Sequence, residues 1–288
     1  NHYRWGTNVF DREWDLLVVL DACRVDALRE VADEYDFLDG VESMTSVGST
    51  SFEWMTHTFD LAHEDKIART AYVTSNGYTQ RVMGKRGDTG HAAMPFGPTD
   101  HDVVRPEDIG YLEELWRIKL KDDSEWIVGR GDETRLSPRY TTDRAINAGP
   151  TADIDQLMIH YMYPHDPFPL AEGDLFEPFD PRRVGDVSRE AVWDAYLDNL
   201  RFVLDEVEML LENVEAEKVA ITADHGEAFG EYGFYKHVVG CPLPCMRRVP
   251  WATTTATDSK SYEPTAPEPQ VGEDTVNVEE RLRQLGYV

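Results

Sequence analysis

Basic residues are scarce in this chain: 28 Lys plus Arg stand against 55 Asp plus Glu in 288 residues, a formal charge of −27. Phosphate contacts need clustered Lys and Arg, so nucleic acid and an anionic membrane are excluded as default partners. Cysteine is just as thin. Cys23, Cys241 and Cys245 are too few for a disulfide framework. The last two fall in CPLPC, whose prolines stiffen the spacing without making a zinc pattern, and free thiols are the expectation. Long apolar runs are also missing, since none approaches the ~20 residues of a membrane span. A cytoplasmic location is expected, with an extracellular one open if a segment ahead of Asn1 has been removed.

What the chain does have is core material. Its content is 41% hydrophobic, with 7 Trp, 13 Tyr and 11 Phe, enough for one large α/β domain. The acids are spread along the sequence rather than gathered in one block, which fits a solvated surface suited to high salt. A halophilic source with an acidic proteome is therefore expected. Folding stability should rise as salt is titrated in, and full stability in dilute buffer would contradict this.

The run DLLVVL, Asp15–Leu20, is continuously apolar, as a parallel strand covered on both faces must be. It stops at Asp21, and Val25–Val31 takes up helical spacing. Further strands are expected at Thr70–Thr74, Gln156–Tyr161 and Lys218–Thr222. Between the last two, Val192, Tyr196, Leu200, Val203, Val207 and Leu210 recur at helical spacing within Arg189–Glu212. Strands alternating with helices imply an α/β fold with a mostly parallel sheet. Residues 94–136 are polar and poorly periodic and read as an insertion or lid. Residues 253–273 read as an extended edge or linker, and Glu279–Leu285 as a short terminal helix. One domain over 1–288 is the expected organisation.

Two of these strands end in acids: Asp21 after the first, Asp224 with His225 after the fourth, in KVAITADHGE. Ligands of open α/β sheets bind outside the carboxyl ends of the strands, and two acids with an imidazole there suit a divalent cation. Asp21 alone would equally serve as a helix cap. The hydroxyl-rich SMTSVGSTSFEWM carries Ser49, Thr50 and Ser51, which read as a helix start or as a nucleophile placed at one. HYMYPHDPF holds His160 and His165, with Pro164 and Pro167 stiffening the backbone around the second. Lys236 and His237 follow in a glycine- and aromatic-rich loop, either as a surface pair or as contacts for an anionic group.

DLLVVLDACRVDAL, GSTSFEWM, HYMYPHDPF and TADHGEAFGEYGFYKH stand in the order seen in the sulfatase branch of the alkaline phosphatase superfamily. RRVPW resembles its closing strand. The resemblance runs from about Trp14 to Trp251 and implies a three-layer α/β sandwich with a mostly parallel central sheet, here in a member from a halophilic archaeon. It also implies a single divalent ion (Ca, Mg, Mn or Zn) held by Asp21, Asp224, His225 and the hydroxyl of Thr50, with Thr50 the nucleophile. His165 and His237 would act on the ester, while His160, Lys236, Asn76 and Arg24 would bind substrate. No CxPSR-like motif is present, so no formylglycine is expected, and Ala22 stands where many relatives have a second acid. The implied activity is hydrolysis or transfer of a sulfate or phosphate ester, on a small molecule or glycan, through a covalent Thr intermediate. The alternatives are a phosphodiesterase or phosphoglycerol-transferase-like enzyme, and a degenerate member that binds a glycan or partner.

Overall fold

A computed structural model of the chain describes residues 6–84, 102–118, 124–130, 133–148, 154–179 and 187–268. In chain order its elements are β1 (Leu16–Leu20), α1 (Val25–Val31), β2 (Glu42–Thr45), α2 (Ser51–Thr58), α3 (Glu64–Ile67), β3 (Thr70–Thr74) and α4 (Tyr78–Met83). There follow β4 (Tyr111–Glu114), β5 (Ile127–Arg130), β6 (Glu133–Leu136), α5 (Pro138–Ala148), β7 (Gln156–Tyr161) and α6 (Arg189–Leu211). The last are β8 (Ala216–Thr222), β9 (Ala228–Phe229), β10 (Tyr235–Lys236), α7 (Pro244–Arg247) and β11 (Arg248–Ala256), with short 3₁₀ turns between.

Seven strands form one sheet in the order β2-β11-β8-β1-β7-β3-β4. From β8 to β4 every pairing is parallel, and β11 runs antiparallel to both β8 and β2. β1 lies in the middle, and its five apolar residues are all buried, as a strand covered on both faces requires. On α6 the six residues at helical spacing are all buried, each such side chain contributing about 1.5–3 kcal/mol through lost apolar exposure. This helix packs on α1 and α5, and α5 in turn reaches β3 and β7. The expected strands and the long helix therefore stand where the hydrophobic pattern puts them.

The polar stretch 94–136 behaves differently in its described part. Tyr111–Glu114 is the edge strand β4, paired with β3, and β5 and β6 form a hairpin. An edge strand buries little, and β4 has one buried residue in four, so no apolar run announces it. The extended reading of 253–273 divides into the end of β11 and a strap over 257–268. Buried Asp143 anchors the strap, accepting from the Tyr262 hydroxyl and the Thr265 and Ala266 N–H groups at 2.7–2.8 Å. The terminal helix expected at Glu279–Leu285 lies outside the described residues. No helix among the described residues is long and apolar enough to cross a membrane. The three cysteines are unbridged.

Candidate active site

Parallel pairing brings the carboxyl ends of β8, β1, β7 and β3 to one edge of the sheet. Register sets Val19 beside both Thr222 and His160, and His160 beside Thr74. Two residues further along lie Asp21, Asp224 and Asn76. Asp21, His160, Asp224 and His225 are all fully buried. Ligand atoms of Asp21, His160 and Asp224 lie within 4.8 Å of one another. His225 Nε2 joins them, 3.4 Å from Asp224 Oδ2 and 3.6 Å from Asp21 Oδ1.

Each ligand is aimed by its own partners. Asp224 Oδ1 accepts the N–H groups of Ala22 (3.1 Å) and His225 (2.8 Å), which turns Oδ2 into the cluster. His225 Nδ1 sits 2.8 Å from the carbonyl of Gly226. A carbonyl only accepts, so Nδ1 carries the proton and Nε2 offers its lone pair to the cluster. Gly226 permits that turn: a Cβ there would lie 2.1 Å from the Cys245 carbonyl oxygen. His160 Nδ1 meets the Tyr72 hydroxyl at 3.0 Å, and the Trp54 ring packs edge-on against the imidazole. Asn76 Nδ2 donates to Asp21 Oδ2 at 2.9 Å. Burial would raise the Asp224 carboxyl, but His225, His160 and the Ser51 hydroxyl outweigh it and hold the group below its ordinary range.

Does a cation fit here? His160 Nε2 and Asp224 Oδ2 are buried with no hydrogen-bond partner among the described residues, and their 3.6 Å separation is too long for a mutual one. Buried polar atoms are ordinarily satisfied, so a pair left open and convergent marks a place for something absent. Two carboxylates and two imidazoles are a donor set suited to a divalent ion.

The three candidate hydroxyls separate cleanly. Ser49 Oγ donates to the carbonyl of Val238 and accepts from Cys241 N, and its hydroxyl and N–H also meet Glu53 Oε2. Thr50 is the N-cap of α2, its Oγ1 accepting the Glu53 N–H at 3.3 Å. Ser51, the first residue of the helix, points its Oγ into the cluster, 3.2 Å from His225 Nε2 and 3.4 Å from Asp21 Oδ2. The resemblance names Thr50; the geometry brings Ser51.

No family model matches the chain, and no curated protein matches it. Solved structures do. The soluble domain of lipooligosaccharide phosphoethanolamine transferase A from Neisseria meningitidis superposes with a TM-score of 0.52 at 16% identity, covering 85% of this chain and 77% of that one. The chain has the alkaline phosphatase and sulfatase-like fold. The integral membrane form of the same Neisseria protein also matches with a TM-score of 0.52 at 16% identity, over 86% of this chain but 48% of that one, so this chain spans about half its length. A putative sulfatase from Bacteroides thetaiotaomicron is similar at a TM-score of 0.48 and 14% identity, covering 94% of this chain and 70% of that one.

Within this sulfatase-like fold the remaining predicted residues divide. His165 and His237 come together with Glu227 in a second cluster whose ligand atoms also lie within 4.8 Å of one another. It adjoins the first through a ring contact of 4.3 Å between His225 and His237, while His165 and His237 lie 5.1 Å apart within it. His237 Nδ1 lies 3.2 Å from Glu227 Oε2. Burial, reinforced by Asp166, pushes the Glu227 carboxyl up to about 8, and burial lowers both His237 and His165 from their ordinary range. Lys236 pairs with Asp166 at 2.9 Å. Arg24, expected to bind substrate, is spent elsewhere: it grips Asp26 with two bonds and also donates to Glu231 and to the Glu227 carbonyl.

Sequence reasoning gave Glu227 and Tyr72 no role and read Tyr196 only as one of the helically spaced core residues. Ala22 has φ 60°, a left-handed conformation rare for alanine. The buried Tyr196 hydroxyl holds it, donating to the Ala22 carbonyl (2.7 Å) and accepting from Arg24 N (2.9 Å). Tyr196→Phe should cost about 1–3 kcal/mol by stranding those groups. It should also weaken cation uptake, because Ala22 N orients Asp224. Paired thermal melts and metal titrations of the two proteins check this.

Proposed function

We propose that this chain is a metal-dependent hydrolase or transferase of phosphate or sulfate esters that works through a covalent intermediate on Ser51. The observation that supports it best is the Ser51 hydroxyl, at the start of α2 and inside the buried Asp21–His160–Asp224–His225 cluster. Those four side chains would hold the cation. When bound, it lowers the pKa of the hydroxyl and offsets charge on the transferred group. Asn76 fixes the Asp21 carboxylate, and the helix start favours the anionic ester.

In the first displacement Ser51, whose hydroxyl would release its proton to solvent on cation binding, forms a bond from Oγ to phosphorus or sulfur as the bond to the leaving alcohol oxygen breaks. In this reading His237, hydrogen-bonded through Nδ1 to Glu227, hands that oxygen a proton. Lys236 and His237 retain 32% and 11% side-chain exposure, so this is the side from which an ester arrives. Water or an acceptor alcohol then displaces Ser51. A formylglycine hydrate can expel sulfate by elimination, whereas a serine ester must be attacked at the central atom, which favours phosphoryl transfer.

A second reading follows from the His165–Glu227–His237 cluster, which would take a second cation in a phosphodiesterase-like arrangement. One cation per chain at saturation supports the first reading and two the second. The test of function is turnover of aryl phosphate, aryl sulfate and phosphodiester substrates, with and without divalent metal. Turnover that needs the metal supports an esterase; no turnover and no bound metal would leave a binding protein.

A further inference from the structure

Arg135 lies on β6, in the stretch that reads as an insertion or lid, and is 3% exposed. Among the described residues no carboxylate makes an ion pair with it, Asp166 acting on it only through space, and its Nη2 has no hydrogen-bond partner among them. A buried cation that no carboxylate touches is costly, and an apolar side chain of similar volume is often the more stable choice. What the guanidinium does instead is specific. Nη1 donates to the carbonyls of Met162 (3.1 Å) and His165 (2.9 Å), and the group lies 5.3 Å from the centre of the Tyr163 ring.

We propose that Arg135 is a positioning residue for His165, its guanidinium gripping the backbone on both sides of the Tyr163–Pro164 step and so setting where the imidazole stands against His237. The geometry separates this from simple docking of the β5–β6 hairpin. That job is already served by the Tyr163 hydroxyl, which donates to the Leu136 carbonyl at 3.0 Å without any buried charge. The second anchor of the His165 ring is local, its Nδ1 donating to the carbonyl of Asp166. Asp166 is itself held by Lys236 at 2.9 Å. Ring and backbone of His165 are thus fixed from two sides, by β10 through Asp166 and by β6 through Arg135. A segment that resembles an appendage therefore supports the site from behind. The role of His165 in turnover rests on the proposed function; its placement by Arg135 does not.

The test uses the full chain with Arg135→Met, Arg135→Lys and Tyr163→Phe, read by turnover of the substrate the native protein accepts and by the ring NMR signals of the histidines. Arg135→Met should melt within about 4 °C of the native protein, with kcat down about 10- to 100-fold and KM little changed. Arg135→Lys should recover part of that loss, and Tyr163→Phe should keep native turnover. The His165 and His237 ring signals should move in Arg135→Met while those of His160 and His225 stay in place. Native kcat with unmoved His165 signals in Arg135→Met would overturn the proposal, as would an equal loss in Tyr163→Phe. If Arg135→Met does not fold, Arg135→Lys decides, with intermediate kcat and shifted His165 signals expected and native values contradicting. If the native protein turns over no ester, the ring signals alone decide, so failure of the enzyme reading stays distinct.

Discussion

Ser51→Ala should lower turnover at least about 1,000-fold, the scale at which a reacting group rather than a binding contact is lost. Its cation affinity should fall far less, because four side-chain ligands remain. Thr50→Ala should show the opposite pattern. Thr50 Oγ1 caps α2, so its loss costs about 1 kcal/mol of stability, while the Ser51 hydroxyl keeps its contacts with Asp21 and His225. The pair of variants separates two adjacent hydroxyls by the quantity each one controls. A Thr50→Ala protein that folds, binds the cation and turns nothing over would move the nucleophile back to Thr50.

The second large effect is expected at Asp224. Asp224→Asn keeps the shape of the side chain, and its carbonyl oxygen can still accept from Ala22 and His225. What it loses is the charge on the atom that faces His160 and His225. Cation affinity should fall by at least about 100-fold, beyond what loss of a supporting contact costs, and turnover with it. Stability supplies an independent readout. A cation that binds only the folded chain stabilises it by about 2.7 kcal/mol at a hundredfold excess over its Kd. The native protein should therefore melt higher with metal and lower with chelator, and Asp224→Asn should show no such difference.

How much of this was legible in the sequence can be read residue by residue. The sheet was, because LLVVL and VAI are short apolar runs of the kind a strand covered on both faces requires, and the acids that follow them stand at the carboxyl edge of the sheet. β4 was hidden, since an edge strand with one buried residue has no pattern to find. His160 was placed near the substrate. It lies within a strand rather than after one, and only the register against Val19 and Thr74 shows that it faces the acids. A signal that separates the adjacent hydroxyls was present and went unread. Thr50-Ser51-Phe52-Glu53 matches the Thr-x-x-Glu capping pattern, which assigns the threonine hydroxyl to the helix end and frees the next residue. The structure keeps half of that motif, with Glu53 turning to Ser49 instead of the cap. Arg24 shows the converse. An arginine three residues after Asp21 invites a substrate role, yet Asp26 and Glu231 occupy its guanidinium, and neither partner is evident from spacing alone.

The most direct measurement is to trap the intermediate. The native protein is mixed with an aryl phosphate and divalent metal, quenched in acid, digested and mapped by mass spectrometry. A phosphate ester on Ser51, absent when metal is removed and absent in Ser51→Ala, is the predicted result. An ester on Thr50, or turnover without any ester on this helix start, would contradict the account.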